Sequence, residues 1–197
     1  MKDLLILFIV MLACWQLFGP DAVVELGPGV MVAEIPKQTD PLSSESFEYH
    51  NYQITPLADF EIKAKILSKA NYSLGRQADL SPVDLALGWQ NMSDESVLEK
   101  LTISQANRWY MWRTQELPIP KKQIEIQSAN MHIVPANAQI EKEIAQAKQG
   151  EIIELSGHLI RIDADDGWYW QSSLTRDDIG DGGCELMYVK DVHILDM

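Results

Sequence analysis

Residues 151–172 read EIIELSGHLIRIDADDGWYWQS, and their patterning decides the class of the chain. Residues 151–156 and 159–163 are short runs rich in β-branched and apolar residues, with Gly157 between them. Asp165-Asp166-Gly167 is turn chemistry, and residues 168–172 form a third run. A fourth, residues 186–194, follows a longer loop from Thr175 to Gly183. Short strands joined by tight turns predict antiparallel pairing.

Upstream the signals are more varied. Phe60, Ile62, Ala64 and Ile66 alternate with Glu61, Lys63 and Lys65, which predicts a half-buried strand. Ser81-Pro82 reads as a helix start leading into residues 83–89. Ser93-Asp94-Glu95 opens a second short helix through Leu101, its acids complementing the dipole. Residues 108–113, RWYMWR, read as an aromatic strand. Asn137 caps a third helix with Ile140, Ile144 and Ala147 on one face and Gly150 beyond its end. The expected class is α+β: an antiparallel sheet or small barrel at the carboxyl end, a few short helices, and an amino-terminal hydrophobic segment. The division is 1–20 as signal peptide or anchor, 21–46 as extended linker, and 47–197 as one globular domain.

Residues 150–159, GEIIELSGHL, resemble strands that open small Greek-key barrels of the OB type. The resemblance covers about 45 residues and implies a fold only. Three further stretches, LSPVDLALGW (80–89), SANMHIVPAN (128–137) and WQSSLTRDDIGDGGCE (170–185), resemble bacterial membrane-anchored or exported proteins of no assigned function. That resemblance implies an address and no chemistry.

The formal net charge is −13. A surface so negative repels phosphate backbones and anionic lipid heads, which disfavours nucleic-acid binding and peripheral docking on membranes. Residues 4–19 are almost wholly apolar, Gln16 being the polar exception before Gly19, and Pro20 stops any helix. An uncleaved short anchor, a cleaved signal and a lipoprotein signal at Cys14 are the competing readings. Lys2 on one side, with Asp21 and Glu25 on the other, predicts a single-pass protein of the cytoplasmic membrane whose domain faces the periplasm. Of the two cysteines, Cys14 lies in this segment, so Cys184 is expected as a lone thiol.

The candidate chemistry is sparse. Asp177, Asp178 and Asp181, among the glycines of the loop after Arg176, are oxygen ligands that suit calcium, although the EF-hand spacing fails and a solvated turn is the simpler reading. Cys184 with His132 is the minimum of a thiol hydrolase or transferase, against core packing of a free cysteine. His132 and His158 lack zinc spacing, and His50 and His193 are isolated. Trp168 and Trp170 share one side of a strand and Tyr169 takes the other; Trp109 opposes Tyr110 and Trp112 in the same way. Such aromatics either pack a core or meet a partner. Ser172 and Ser173 have no base at a supporting spacing. The expected function is an accessory or binding module with no cofactor, presenting Trp168, Trp170, Arg176, Asp177 and Asp178 to an envelope or membrane protein. The alternatives are catalysis by Cys184 and His132, and calcium stabilisation through the 177–181 loop.

Overall fold

A computed structural model describes residues 6–9, 11, 23–175 and 184–195. The chain is mixed α+β, dominated by strands, with few short helices. One sheet of eight strands holds β1 (Lys37–Thr39), β2 (Phe47–Tyr49), β3 (Tyr52–Asn71), β4 (Val83–Gly88), β7 (Ser128–Pro135), β8 (Ile152–Ala164), β9 (Tyr169–Gln171) and β10 (Glu185–Leu195). Strands β5 (Thr102–Ala106) and β6 (Trp109–Arg113) form a separate two-stranded sheet. Among the described residues from 23 onward the α-helices are α1 (Arg76–Leu80), α2 (Glu95–Leu98), α3 (Lys121–Ile126) and α4 (Ala138–Gln146).

The 20-residue β3 organises the sheet, because it pairs with β8 from Tyr52 to Lys65 and with β4 from Lys65 to Asn71. The order β3-β4-β7-β10-β8 therefore returns to β3 and closes a ring. Irregularities between Pro56 and Ala58 and between Ile66 and Ser68 bend β3 enough to serve both partners. Phe60, Ile62, Ala64 and Ile66 face the inside of the ring with Leu85, Leu87, Met131, Ile133, Leu155, Leu159, Met187 and Val189. Burial of each large side chain there contributes roughly 1.5–3 kcal/mol.

Helix α4 lies between β7 and β8 and adds Ile140 and Ile144 to the same core. Asn137 caps it as its sequence foretells, its side-chain oxygen accepting from the N–H groups of Gln139 and Ile140 at 2.9 and 3.1 Å. Asn137→Ala should lower stability by about 1 kcal/mol, read as a shifted urea midpoint.

Three expectations change. Residues 83–88 are strand β4 and not a helix. All six are buried, and with Asp84 as the one polar residue among them the short run gives too little alternation to separate strand from helix. Residues 151–156 and 159–163 belong to one strand, β8, and Gly157 lies inside it rather than in a turn. There β10 bulges between Val189 and Asp191, bringing the Tyr188 carbonyl to where a Gly157 Cβ would sit. The ring is also not confined to the carboxyl end: it takes strands from Tyr52 onward, and its β7–β10 pair is parallel.

Of the stretch expected as an extended linker, 21–46, the described residues 23–46 lie in good part along the ring. Val24 N–H donates to the Gln149 carbonyl, and Val32 is fully buried. Leu26 and Gly27 N–H donate to the Glu95 carboxylate, Gly29 N–H to Asp94, and Val32 N–H to Ser93 Oγ. Strand β1 then pairs with β3. Burial pushes the Glu95 carboxyl up, but the Lys65 ammonium and the two N–H groups outweigh it and hold it below the ordinary value. The Gly29 N–H and Ser96 hydroxyl lower Asp94. Docking of this strap is thus stabilised in full above the ordinary carboxylate range and weakens as pH falls through the lowered folded values. The protection factors of the Leu26 and Gly27 amides, taken against intrinsic exchange at each pH, should stay flat from neutral pH down to that range and fall only below it; Glu95→Gln should remove most of that acid limb, leaving the part due to Asp94.

Residues 6–9 and 11 are helical, and the rest of the 4–19 segment, Cys14 included, lies outside the described residues. Among the described residues no helix is long and apolar enough to cross a membrane.

Candidate functional site

Alternation along β4 and β7 builds the site. Leu85 and Leu87, and Met131 and Ile133, point into the ring, so Asp84, Asn130 and His132 lie on its outer face. Asp84 and His132 are register partners and Asn130 stands opposite Ala86, which makes the three a contiguous patch. Asp84 is fully buried and His132 nearly so. A carboxylate in that position needs a cover and a counter-charge.

The β5–β6 hairpin supplies both. Its turn holds Asn107 at φ 51° and Arg108 at φ 70°, the left-handed pair of a two-residue hairpin turn. Asparagine tolerates that region, but arginine stands where glycine is favoured, at a cost of roughly 1–2 kcal/mol. The cost is offset by what Arg108 reaches. Nη1 donates to Asp84 Oδ1 at 2.6 Å and to Ser81 Oγ at 3.3 Å, and Nη2 donates to the Ser81 carbonyl at 2.9 Å. The guanidinium lies 3.9 Å from the Tyr72 ring centroid and 5.6 Å from that of Trp170. Its own backbone is tied as well, N–H to Tyr72 Oη and carbonyl to Asn130 Nδ2. Burial pushes the Tyr72 hydroxyl above its ordinary pKa.

The hairpin's inner face carries Tyr110 and Trp112 into a cluster with Met92, Val97 and Ile124, while Trp109 and Met111 stay exposed. The opposition of Trp109 to Tyr110 and Trp112 follows from this. Burial raises Tyr110 to about 12, and its hydroxyl donates to Ser128 Oγ.

The other wall is the segment after β8. Trp168 and Trp170 stand on one side and Tyr169 on the other, 58% exposed, as alternation requires. Trp170 covers His132 at 4.9 Å, and Trp168 carries the Arg76 guanidinium at 5.1 Å. Arg76 is ion-paired with Asp166, whose carboxyl it holds below the ordinary value. Nδ1 of His132 is 3.0 Å from Asp84 Oδ1 but not aligned as a hydrogen bond, and among the described residues Asp84 Oδ2 and Gln105 Oε1 are buried acceptors with no hydrogen-bond partner.

Cys184 reaches this site too, half-buried, with Sγ 4.0 Å from the Arg108 carbonyl and 4.0 Å from Asn130 Nδ2. Cys184 and His132 therefore flank one patch with different neighbours, His132 held by Asp84 and Trp170. His158 is two strands from His132, across β10, and contacts Asp59 at 2.8 Å. Among the described residues no group of three His, Cys, Asp or Glu side chains is placed to hold a metal. Ser172 Oγ is used structurally, donating to the Ser173 carbonyl and accepting from Leu186 N–H. Arg176, Asp177, Asp178 and Asp181 lie outside the described residues.

The residues that sequence reasoning missed are Asp84, Arg108, Tyr72 and Asn130. A lone acid inside the apolar run VDLALGW was the available signal, since an unpaired buried carboxylate is rare. The three stretches that prompted the bacterial resemblance, 80–89, 128–137 and 170–185, each send residues to this patch. Elsewhere a groove of about 470 Å³ is walled by Lys37, Glu61, Lys63 and Glu154, whose charges pair with one another at the surface. Comparison with protein-family models, curated proteins and solved structures returned no match.

Proposed function

We propose that the chain is a membrane-tethered, envelope-facing accessory module that binds a protein partner at the rim of an OB-type barrel. Support for the barrel type comes from the ring order β3-β4-β7-β10-β8, with a parallel β7–β10 pair and a helix between its third and fourth strands. Barrels of this type bind ligands on the face of their second and third strands and at the loops joining strands one to two and four to five. Here those are the outer face of β4 and β7, the 72–82 segment and, of the stretch between β8 and β10, the described residues 165–175 and Cys184.

One observation carries the reading: Asp84, Asn130 and His132 converge on that face between Tyr72 of the first loop and Trp170 of the second. The net charge of −13 argues for a protein rather than a nucleic acid. Tyr169, on the far side of its strand from Trp170, and Trp109 and Met111, on the outer face of the hairpin, are exposed and offer apolar contact of the kind interface anchors use. Tethering rests on the apolar 4–19 segment and the charges that flank it.

A photo-crosslinking residue at Tyr169, in the full chain in native membranes, should give a discrete protein adduct. The same residue at Ile35, in the distant groove, should not. Equal labelling at both positions, or none at Tyr169, overturns the binding rim; full-length chain in the soluble fraction overturns the tether.

A second reading draws on the Asp84–His132 contact, the orienting half of an acid–base relay. It would make His132 the base for Cys184 in a hydrolase or transferase. An alkylation rate of Cys184 unchanged by His132→Gln would remove it.

A further inference from the structure

We propose that the outer face of β4 is a receptor for a guanidinium group, occupied in this structure by Arg108 of the hairpin, and that an arginine side chain of the partner protein exchanges with it. The proposal deepens the binding reading above and rests on it.

The chemistry of the pocket is specific. Asp84 forms a fully buried anionic floor, the Ser81 carbonyl and hydroxyl oxygen are further acceptors in reach, and Tyr72 and Trp170 stand as aromatic walls. A planar cation that stacks on rings while donating along its edge fits this arrangement; a lysine ammonium is a compact point charge and does not. The ligand class is thus written by the occupant already present.

Two features make that occupant exchangeable. Arg108 approaches from a left-handed backbone and engages Oδ1 of Asp84, and among the described residues the buried Oδ2 has no hydrogen-bond partner. An arginine arriving from another direction has both oxygens open to it, in the two-pronged geometry that carboxylates favour. The hairpin, moreover, is its own sheet, and what joins it to β4 and β7 on this face is side-chain contact: Arg108 to Asp84, Gln105 to Asn130, Tyr110 to Ser128. Displacing the Arg108 guanidinium removes the one charged contact at the turn end and leaves it held by two backbone bonds, N–H to Tyr72 Oη and carbonyl to Asn130 Nδ2, so the hairpin there is loosened. A partner with a basic segment also suits a chain of net charge −13.

The test uses the full chain and the Arg108→Gly variant, in which glycine keeps the positive-φ turn without strain. Hydrogen exchange at the hairpin amides is the readout. Loss of a charge-assisted contact should raise exchange in the variant by about ten- to a hundredfold. Millimolar methylguanidinium should restore protection, and methylammonium at equal ionic strength should not. In the wild-type chain an amidated peptide with one arginine and no lysine should raise hairpin exchange, and its lysine counterpart should leave it unchanged. Adding Asp84→Asn to the variant should abolish the rescue. Equal effects of the two cations, no rescue, or a wild-type hairpin indifferent to the arginine peptide overturns the receptor. If Arg108→Gly does not fold, the wild-type arm decides alone. A partner captured at Tyr169 while both guanidinium arms fail would leave the binding rim standing and sink only the exchange.

Discussion

Asp84→Ala should lower the stability of the chain by about 3–5 kcal/mol. The carboxylate is fully buried, and its partner Arg108 is 14% exposed, so removing one charge strands the other between Tyr72 and Trp170. Ser81 and the aromatic rings remain, but they solvate a guanidinium less well than a counter-charge does. The loss should appear in urea unfolding as a lower midpoint. A drop below about 1 kcal/mol would mean that water already reaches the pair, as it does in exposed ion pairs. Replacing both partners with apolar residues of similar volume should cost much less than the single change, because a desolvated pair is expensive chiefly when broken.

Gly157→Ala should cost about 3 kcal/mol, for a different reason. The new Cβ would sit 1.9 Å from the Tyr188 carbonyl oxygen. That atom is backbone and cannot rotate away, and the bulge at Lys190 already fixes the path of β10 there. Relief requires β8 and β10 to part where the ring closes. Gly167→Ala is the control: nothing lies within 4 Å of its Cβ, and only its φ of 86° is unfavourable, so about 1–2 kcal/mol is expected. Equal losses at the two positions would show that strand contact at Gly157 is not what forbids a side chain.

The two glycines also explain how far the sequence could be read. Asp165-Asp166-Gly167 announced a turn correctly, since local chemistry decides a turn. Gly157 looks like another in the sequence because its reason for being glycine lies on β10, thirty-odd positions away. The Asn137 helix was legible for the same local reason: a cap, a 3.6-residue apolar face and a nearby glycine. Residues 83–88 were not, because burial on both faces erases periodicity, and the choice of strand is made by β3 and β7. The parallel β7–β10 pair lies beyond any local signal, being created when α4 and β8 carry the chain across.

The candidate site divides along the same line. That Trp168 and Trp170 share a side is legible in the sequence, a consequence of strand alternation alone. What they face, Arg76, His132 and the guanidinium of Arg108, comes from three other parts of the chain. Asp84 could have been suspected from its apolar neighbours. Arg108 could not, because its inward reach depends on a left-handed turn that aims the side chain across two sheets.

The coupling free energy between Asp84 and Arg108, from a double-mutant cycle with Asp84→Asn and Arg108→Gly in urea unfolding, is the most direct measure of whether one guanidinium holds the hairpin to the binding face. A desolvated pair of this geometry should give about 1.5 kcal/mol or more, with the two single variants each losing most of what the double variant loses. Additive losses, with coupling near zero, would mean that the hairpin rests on Tyr110 and Trp112 alone, and that the pocket on β4 is neither latch nor receptor.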